Sequence, residues 1–230
     1  MSERKLLDGI EAVIFDFDGT LYEAKSFEKE IVKNLPFQIK NLLALKSVNV
    51  QFRGKIFNSA AELRKEYFEC LGKKMKTSVD EAESWYSKIF LTKVLEIVGR
   101  KYLLRKNLNS VYSVLKHKKI KIAVLGDYSI VKAEMDALGM YEKLADEVFY
   151  PQKVCGFKPA PEVFLKIAET LEAEPSKILV IGNENYRDGE GARLSGMNFV
   201  QIKNKDTKET AGSVNHPLLT WEEFTKEIGI

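Results

Sequence analysis

The chain has 230 residues, of which 45% are hydrophobic and 30% are charged, with a formal net charge of +3. This length allows one domain with a large hydrophobic core, or two smaller ones. No apolar run is long enough to cross a membrane, and the charged residues 1–5 precede no signal-peptide core. Cys70 and Cys155 are too few and too far apart to predict a disulfide framework or a zinc site. We therefore expect a protein of the reducing cytoplasm with no membrane partner.

The charge is unevenly distributed along the chain. Residues 22–105 hold 17 Lys and Arg against 10 Asp and Glu, a net +7, and the remainder has a net −4. A basic segment could attract an anionic substrate, but we favour the solvated faces of amphipathic helices. We likewise expect Arg53 and Lys55 to be solvated residues of a loop. The alternative is that they bind a second anionic group of the substrate. Basic and aromatic residues do not alternate as in a nucleic-acid groove, so no nucleic-acid partner is expected.

A carboxylate pair follows the first apolar run. Residues 12–15 lead directly into Asp16-Phe17-Asp18-Gly19-Thr20-Leu21. Alternate side chains of a strand point to one face, so Asp16 and Asp18 are expected to share a site. Two buried carboxylates need a cation or a shared proton. The pair suits a nucleophile, a general acid/base or a divalent metal, and a plain strand-to-turn junction at Asp-Gly is the alternative.

The next segment has a helical pattern from residue 26 to about residue 99. Apolar residues recur at helical spacing at Phe27, Ile31, Leu35, Ile39 and Leu42. Pro36 is expected to break or kink that run. Ser59 and Ser78 each precede a glutamate at capping-box distance and should begin helices. Gly72 and Gly99 are expected to end helices, which gives an all-helical segment of about four helices.

Short apolar strands alternate with helices in the rest of the chain. The strands are predicted at 120–125, near 148–149, at 178–181 and at 198–202. The helices are predicted at 108–117, 130–138, 161–171 and 189–194. This alternation predicts an α/β fold, a doubly wound parallel sheet covered by helices on both faces. Ligands of such sheets bind beyond the carboxyl ends of the strands, where Asp16, Asp127, Asn183 and Asp188 are expected.

Three segments together carry a family resemblance. They are Asp16-Phe17-Asp18-Gly19-Thr20-Leu21, the stretch from Gly156 through Lys158 to Phe164, and the stretch from Ile181 to Ala192. In order and spacing they resemble the first, third and fourth motifs of the haloacid dehalogenase-like (HAD) hydrolase superfamily. The resemblance covers residues 11–22 and about 106–230. It implies a Rossmann-like α/β core formed by residues 1–21 and 106–230, with residues 22–105 inserted as a helical cap.

The resemblance also implies roles for the motif residues. In the phosphatases of this family an aspartate attacks phosphorus and forms an aspartyl-phosphate that water hydrolyses. Asp16 matches that nucleophile, and Asp18 matches the acid/base whose backbone carbonyl also binds metal. Lys158 matches the lysine that pairs with the phosphate and the nucleophile. The implied cofactor is Mg²⁺, which prefers oxygen ligands.

The second motif departs from the family pattern. Its apolar strand should end in Ser or Thr, whose hydroxyl binds phosphate, but here Gly126 has that position. We expect the backbone N–H groups of Gly126 and Asp127 to bind the phosphate instead. Ser129 could replace the missing hydroxyl, although we favour a role for it as the cap of the next helix.

The fourth motif departs as well. Asn183 stands where the family has a metal-binding Asp, and an uncharged amide oxygen should bind Mg²⁺ more weakly. Glu184 is adjacent and long enough to contact the metal in its place. Asp188 retains the family spacing and is expected to support the metal and Lys158. The implied metal ligands are Asp16, Asp18, Asn183, Asp188 and Glu184.

These observations lead to one expected function and two alternatives. We expect a magnesium-dependent phosphatase that hydrolyses a small phosphorylated metabolite, such as a sugar phosphate or a nucleotide monophosphate, beneath a closing cap. One alternative is a metal-independent dehalogenase, which Asn183 faintly suggests and Asp18 opposes. The other is a catalytically weakened family member with a binding or regulatory role, which Gly126 and Asn183 suggest.

Overall fold

The structure, a computed structural model, describes residues 6–140, 144–205, 207–209 and 215–230. Six parallel strands form a sheet in the order β3-β2-β1-β4-β5-β6. The strands are β1 Ala12–Asp16, β2 Lys121–Leu125, β3 Glu147–Phe149, β4 Ile178–Gly182, β5 Asn198–Ile202 and β6 Leu218–Leu219. The strand order reverses its direction at β1 and β4, so the predicted doubly wound α/β sheet is confirmed. A ligand crevice is expected between these two strands.

Helices cover both faces of this sheet. They are α6 Leu108–His117, α7 Val131–Ala137, α8 Pro151–Val154, α9 Pro161–Thr170, α10 Glu190–Leu194 and α11 Trp221–Glu227. Val13 and Phe15 of β1 pack in one hydrophobic cluster, whereas Ala12 and Ile14 pack in a second cluster on the opposite face. Because both faces of the strand are buried, its sequence is a continuous apolar run and does not alternate.

A helical insert lies between β1 and α6. Its helices are α1 Phe27–Asn34, α2 Ile39–Phe52, α3 Ala60–Met75, α4 Val79–Trp85 and α5 Thr92–Lys101. A π-helical turn, Tyr86–Leu91, joins α4 to α5, so the insert has four continuous helical runs. Pro36 begins the short 3-10 turn that separates α1 from α2, as expected. Ser59 and Ser78 both cap helices, by accepting the N–H groups of Glu62 and Glu81.

The two glycines predicted to end helices do not end them. Gly72 lies inside α3 and Gly99 lies inside α5. A Cβ on Gly72 would lie 3.1 Å from the carbonyl oxygens of Thr77 and Ser78, and one on Gly99 would lie 3.1 Å from the Cβ of Ala137. These glycines therefore permit close packing, and that prediction of the helix ends is wrong.

The insert returns to the core close to where it leaves. Tyr22 and Leu104 form an antiparallel bridge between the two connecting segments. A second bridge joins Ile56 of the insert to Gly156 of the core. The elements β6 and α11 were not predicted from the sequence, although Thr220 and Glu223 form a capping box at the start of α11. Among the described residues, no helix is long and apolar enough to cross a membrane.

Candidate active site

The predicted site residues come together at the carboxyl edge of the sheet. Asp16 is the last residue of β1 and is paired in register with Leu125 at the end of β2. Asp127 follows β2, and Asn183 follows β4. Lys158 reaches the same edge from the loop before α9. The crevice that the strand order predicts therefore holds the residues of all the predicted motifs.

A buried lysine lies at the centre of this cluster. Lys158 Nζ lies 2.6 Å from Asp16 Oδ1, 2.8 Å from Asp188 Oδ1 and 3.3 Å from Asp127 Oδ1. Burial lowers the pKa of Lys158, but the charges of Asp127, Asp16 and Asp188 outweigh it and hold the pKa well above the usual value. The ammonium therefore stays protonated and offsets the repulsion among three carboxylates.

Asp16 is held at both carboxylate oxygens. Lys158 binds Oδ1, and the Thr20 hydroxyl donates to Oδ2 at 2.7 Å. Burial and the charge of Asp188 raise the pKa of Asp16 well above its usual value, although Lys158 opposes them. No role for Thr20 was predicted from the sequence, although Thr20 lies within the first motif, four residues after Asp16.

Asp18 is arranged differently from Asp16. Its Oδ1 accepts the Tyr22 hydroxyl at 2.6 Å, and its buried Oδ2 has no hydrogen-bond partner among the described residues. Burial and the charge of Asp127 raise the pKa of Asp18 to about 6. A carboxyl group with such a pKa gains and loses a proton near neutral pH, which suits a general acid/base.

The turn after Asp18 brings Asn183 close to Asp16. Gly19 has φ +84°, and a Cβ there would lie 2.6 Å from Asn183 Nδ2. One end of the Asn183 amide lies 3.1 Å from Asp16 Oδ2 and 3.2 Å from the carbonyl oxygen of Asp18. With nitrogen at that end, the amide donates to both oxygens. With oxygen there, three oxygens face one another with no hydrogen between them, and a hard cation satisfies such a set.

These three oxygen atoms can be compared with the ligands that a metal ion requires. The described residues contain no group of three or more His, Cys, Asp or Glu side chains placed to hold a metal ion. The oxygens near Asn183 are instead one carboxylate, one amide and one backbone carbonyl. Their chemistry fits Mg²⁺, although with less formal charge than a set of carboxylates would have.

Glu184, expected as a substitute metal ligand, is paired with Arg187 in this structure, and its contact with a metal stays a prediction. Its Oε2 lies 3.1 Å from Arg187 Nη1, and its backbone N–H donates to Asp188 Oδ2 at 3.2 Å. The carboxylate of Glu184 is therefore paired with a guanidinium, whereas Asn183 lies against Asp16. Asp188 contacts Lys158, as expected, and its second oxygen holds the backbone of Glu184.

Arg187 is a site residue that the sequence analysis missed. Its guanidinium forms an ion pair with Asp127 as well as with Glu184. Burial would raise the pKa of Asp127, but the charges of Arg187 and Lys158 lower it to about 2. Asp127 therefore remains ionised and links two cations. The position of Arg187 directly before Asp188 is the only signal in the sequence.

Gly126 does not offer the phosphate contact expected of it. Its N–H donates to the carbonyl oxygen of Phe149 at 2.9 Å, within the sheet. Ser129 does not cap α7, which begins after Ile130 with no side-chain cap. The expected N–H contact of Gly126 and the expected cap by Ser129 are therefore wrong, whereas the phosphate contact of Asp127 stays a prediction, and Ser129 is exposed at the site.

A cavity of about 570 Å³ opens from the cluster toward the helical insert. At the core end it is lined by Gly126, Asp127, Ser129, Lys158 and Arg187. At the other end it is lined by side chains of α1, α2 and α3 and by the π-helical turn. This volume is typical of a pocket for a small molecule.

The doubly wound sheet and the buried carboxylate–lysine cluster at its carboxyl edge define an α/β enzyme. The chain belongs to the haloacid dehalogenase-like hydrolases, whose family model matches residues 10–196. It is 26% identical over 200 residues to "Putative phosphatase YhcW" of Bacillus subtilis strain 168, covering 86% of each chain. It is 27% identical over 199 residues to "Putative pyrophosphatase PpaX" of Clostridium perfringens, covering 84% of this chain and 86% of that one.

Solved structures share the fold. The "putative HAD-hydrolase YfnB" from Bacillus subtilis, bound to magnesium, has a TM-score of 0.65 at 16% identity, covering 96% of this chain and 99% of its own. A 2-haloacid dehalogenase from Pseudomonas syringae has a TM-score of 0.61 at 18% identity, covering 95% and 97%. At these identities the likeness shows the fold alone.

Proposed function

We propose that this hydrolase is a magnesium-dependent phosphatase that acts on a small phosphorylated molecule through an aspartyl-phosphate. The proposal rests on the presence, in one turn, of two carboxyl groups with different surroundings, Asp16 and Asp18. Asp16 is a carboxylate fixed by Lys158, and Asp18 has a buried, unpartnered oxygen and a pKa of about 6. A nucleophile beside a proton donor is what the transfer of a phosphoryl group from an ester requires. The two curated relatives, with phosphatase and pyrophosphatase in their names, support the same chemistry.

The reaction has two steps in this proposal. A carboxylate oxygen of Asp16 attacks phosphorus, the bond from phosphorus to the ester oxygen breaks, and protonated Asp18 gives its proton to the leaving alcohol. Ionised Asp18 then takes a proton from water, whose oxygen attacks phosphorus and displaces Asp16. Inorganic phosphate leaves, and both carboxyl groups regain their starting states.

Cationic side chains support both steps. Lys158 fixes Asp16 and stabilises negative charge on the transferred phosphoryl group. Arg187 and Ser129 line the cavity beside it and are the side-chain donors we assign to the phosphate in place of the family hydroxyl. Asp188 acts through Lys158 as a positioning residue, with Asp127 as a second anchor for Lys158 and Arg187.

Asp16, the carbonyl oxygen of Asp18 and the amide oxygen of Asn183 are the groups that would hold Mg²⁺. The ion would neutralise negative charge on the phosphate and on the carboxylates. The need for a cation follows from the charges of the cluster. Asp16, Asp127, Glu184 and Asp188 face only two cationic side chains among the described residues.

We also propose that residues 22–105 act as a cap over a core of residues 1–21 and 106–230. The cavity between the insert and the sheet edge supports this division, because closure there would exclude water from the reaction. Cys70 and Cys155 are free thiols, which supports our proposal of a cytoplasmic location.

The test is phosphate release from a panel of phosphate esters with and without Mg²⁺. Asp16→Asn should abolish turnover, since it removes the nucleophile, whereas Asp136→Asn should not, because Asp136 is exposed on α7. Acid-quenched wild-type protein should carry phosphate on a peptide that contains Asp16. Equal activity of the wild-type and Asp16→Asn proteins would refute the proposal.

A second candidate is dehalogenation, in which Asp16 would attack a halogen-bearing carbon. It is favoured by one orientation of Asn183, in which the amide nitrogen donates to Asp16 Oδ2 and no cation is needed. Halide release that is insensitive to a chelator would support this candidate. Phosphate release that the chelator abolishes would exclude it.

A further inference from the structure

We propose that the substrate is a phosphate monoester of an apolar alcohol, which carries an aliphatic or aromatic group in place of a sugar or nucleoside. The inference rests on the proposed phosphatase function and narrows its substrate class. It follows from the side chains that line the path from the reaction centre into the insert.

Aromatic side chains form two walls of the cavity, and each wall includes a residue adjacent in sequence to Asp127 or Lys158. Tyr128 follows Asp127, and its ring contacts Phe90 with 5.8 Å between centroids. Phe157 precedes Lys158, and its ring stacks on Tyr67 at 5.9 Å. The alcohol of an ester held at Lys158 would leave the reaction centre between these walls, and aromatic rings favour apolar or aromatic groups there.

The far end of the cavity is aliphatic and open. Four large apolar side chains of α1 and α2 line it while remaining exposed: Val32 44%, Ile39 47%, Leu43 63% and Val50 57%. Exposed apolar groups clustered in one cavity, rather than scattered singly, indicate a binding surface. The cavity is continuous with Lys158, so its occupant is the alcohol part of the ester.

Most of the polar side chains of the insert that line the cavity have a partner among the described residues. Glu28 and Lys46 pair with each other at 3.1 Å, and Asn49 Oδ1 accepts the Tyr67 hydroxyl at 2.5 Å. Arg53 stacks over the ring of Tyr186, 4.7 Å from its centroid. A sugar or a nucleoside would need several free donors and acceptors at this end.

The first experiment compares esters with similar leaving groups. Hexyl phosphate and benzyl phosphate are compared with glucose 6-phosphate and glycerol 3-phosphate, because all four are esters of a primary alcohol. We expect kcat/KM to be at least about tenfold higher for one or both apolar esters. Hexyl and benzyl phosphate distinguish an aliphatic from an aromatic substrate. Equal or better turnover of the polar esters would overturn the inference and leave the proposed function intact.

The second experiment tests the lining itself. The double variant Ile39→Gln/Leu43→Gln should raise KM for the preferred apolar ester about five- to tenfold with little change in kcat. It should leave KM for glucose 6-phosphate unchanged. The matched control is Phe37→Gln, which changes a side chain that is 96% exposed and outside the cavity lining. The same shift in both proteins would contradict the assignment of the lining.

Binding measurements separate failure of the inference from failure of the proposed function. By calorimetry with Mg²⁺ present, hexylphosphonate or benzylphosphonate should bind wild-type protein at least about tenfold more tightly than methylphosphonate. If they do so but no ester is hydrolysed, the phosphatase proposal fails while the apolar pocket stands. Equal affinity for the three phosphonates would overturn the pocket assignment.

Discussion

Gly126 and Val131 are packed so closely that a Cβ on residue 126 would lie 2.5 Å from Val131 Cγ2 and 2.6 Å from Val131 Cβ. Val131 is fully buried at the start of α7, so it cannot move aside without disturbing the core. Glycine at residue 126 therefore lacks the hydroxyl group of the family residue and also allows Val131 to pack against the backbone. The helix after the second strand has packed into the space that the hydroxyl-bearing residue would need.

Gly126→Ser alone should therefore destabilise the protein by about 1–3 kcal/mol and should not raise activity. In Gly126→Ser/Val131→Ala the clash is relieved, so the two changes together should cost less than the sum of their separate costs. Urea denaturation of the four proteins in the cycle measures this coupling. Additive effects would show that Val131 does not exclude a side chain at residue 126.

Lys158→Met should lower kcat/KM by about 10²–10³ or more, because it removes the cation shared by Asp16 and Asp188. It should also destabilise the fold, since the two buried carboxylates lose their partner. Lys166→Met is the matched control on the exposed face of α9. Phosphate-release kinetics and urea denaturation of both variants test this. Similar kcat/KM values for Lys158→Met and Lys166→Met would contradict the role of Lys158.

The sequence predicts those site residues that lie within short motifs. Asp16 and Asp18 directly follow a buried strand, and Lys158 and Asp188 lie within recognisable motifs, so their positions follow from the order of strands. Contacts between distant segments could not be predicted in this way. The ion pair of Arg187 with Asp127 spans 60 residues and depends on how two loops meet.

The same limit explains the errors in the fold. A glycine in a helical pattern indicates a helix end when only local conformation is considered. Gly72 and Gly99 are instead required by neighbours from other segments, namely the chain that leads into α4 and the helix α7. The expected phosphate contact of Gly126 failed for a related reason, because the sheet pairing with Phe149 already uses its N–H.

Asn183→Asp should increase the affinity for Mg²⁺ about tenfold or more, because it adds a formal charge to the oxygen set. The introduced carboxylate could not donate to Asp16 and would repel it, so the metal-free variant should be less stable than wild type. Calorimetric titration with Mg²⁺ and thermal unfolding with and without the ion measure the two effects.

The matched control for Asn183→Asp is Asn109→Asp, which adds the same charge at an exposed position of α6. Equal Mg²⁺ affinity of Asn183→Asp and wild type would show that residue 183 does not contact the ion. A gain in affinity without a gain in phosphatase activity would show that metal binding does not limit the enzyme.

Glu134 should make the fold less stable as the pH rises. It is fully buried in α7, and neither of its carboxyl oxygens has a hydrogen-bond partner among the described residues. Burial, with the charges of Asp18 and Asp127, raises its pKa from 4.5 to about 9, and Tyr22, Tyr86 and Tyr128 are also close enough to interact with it. The folded protein therefore holds a proton that the unfolded chain releases above about pH 4.5.

The contribution of Glu134 to stability is thus complete below about pH 4.5 and is lost progressively as the pH rises toward 9. Glu134→Gln removes this loss, so the variant should be more stable than wild type by roughly 2–4 kcal/mol at pH 8 and nearly equal to it at pH 4.5. Urea denaturation at both values measures the difference, with Asp136→Asn on the exposed side of the same helix as the control. If Glu134→Gln gives the same difference at both pH values, the side chain is ionised in the folded protein and a partner must stabilise its charge.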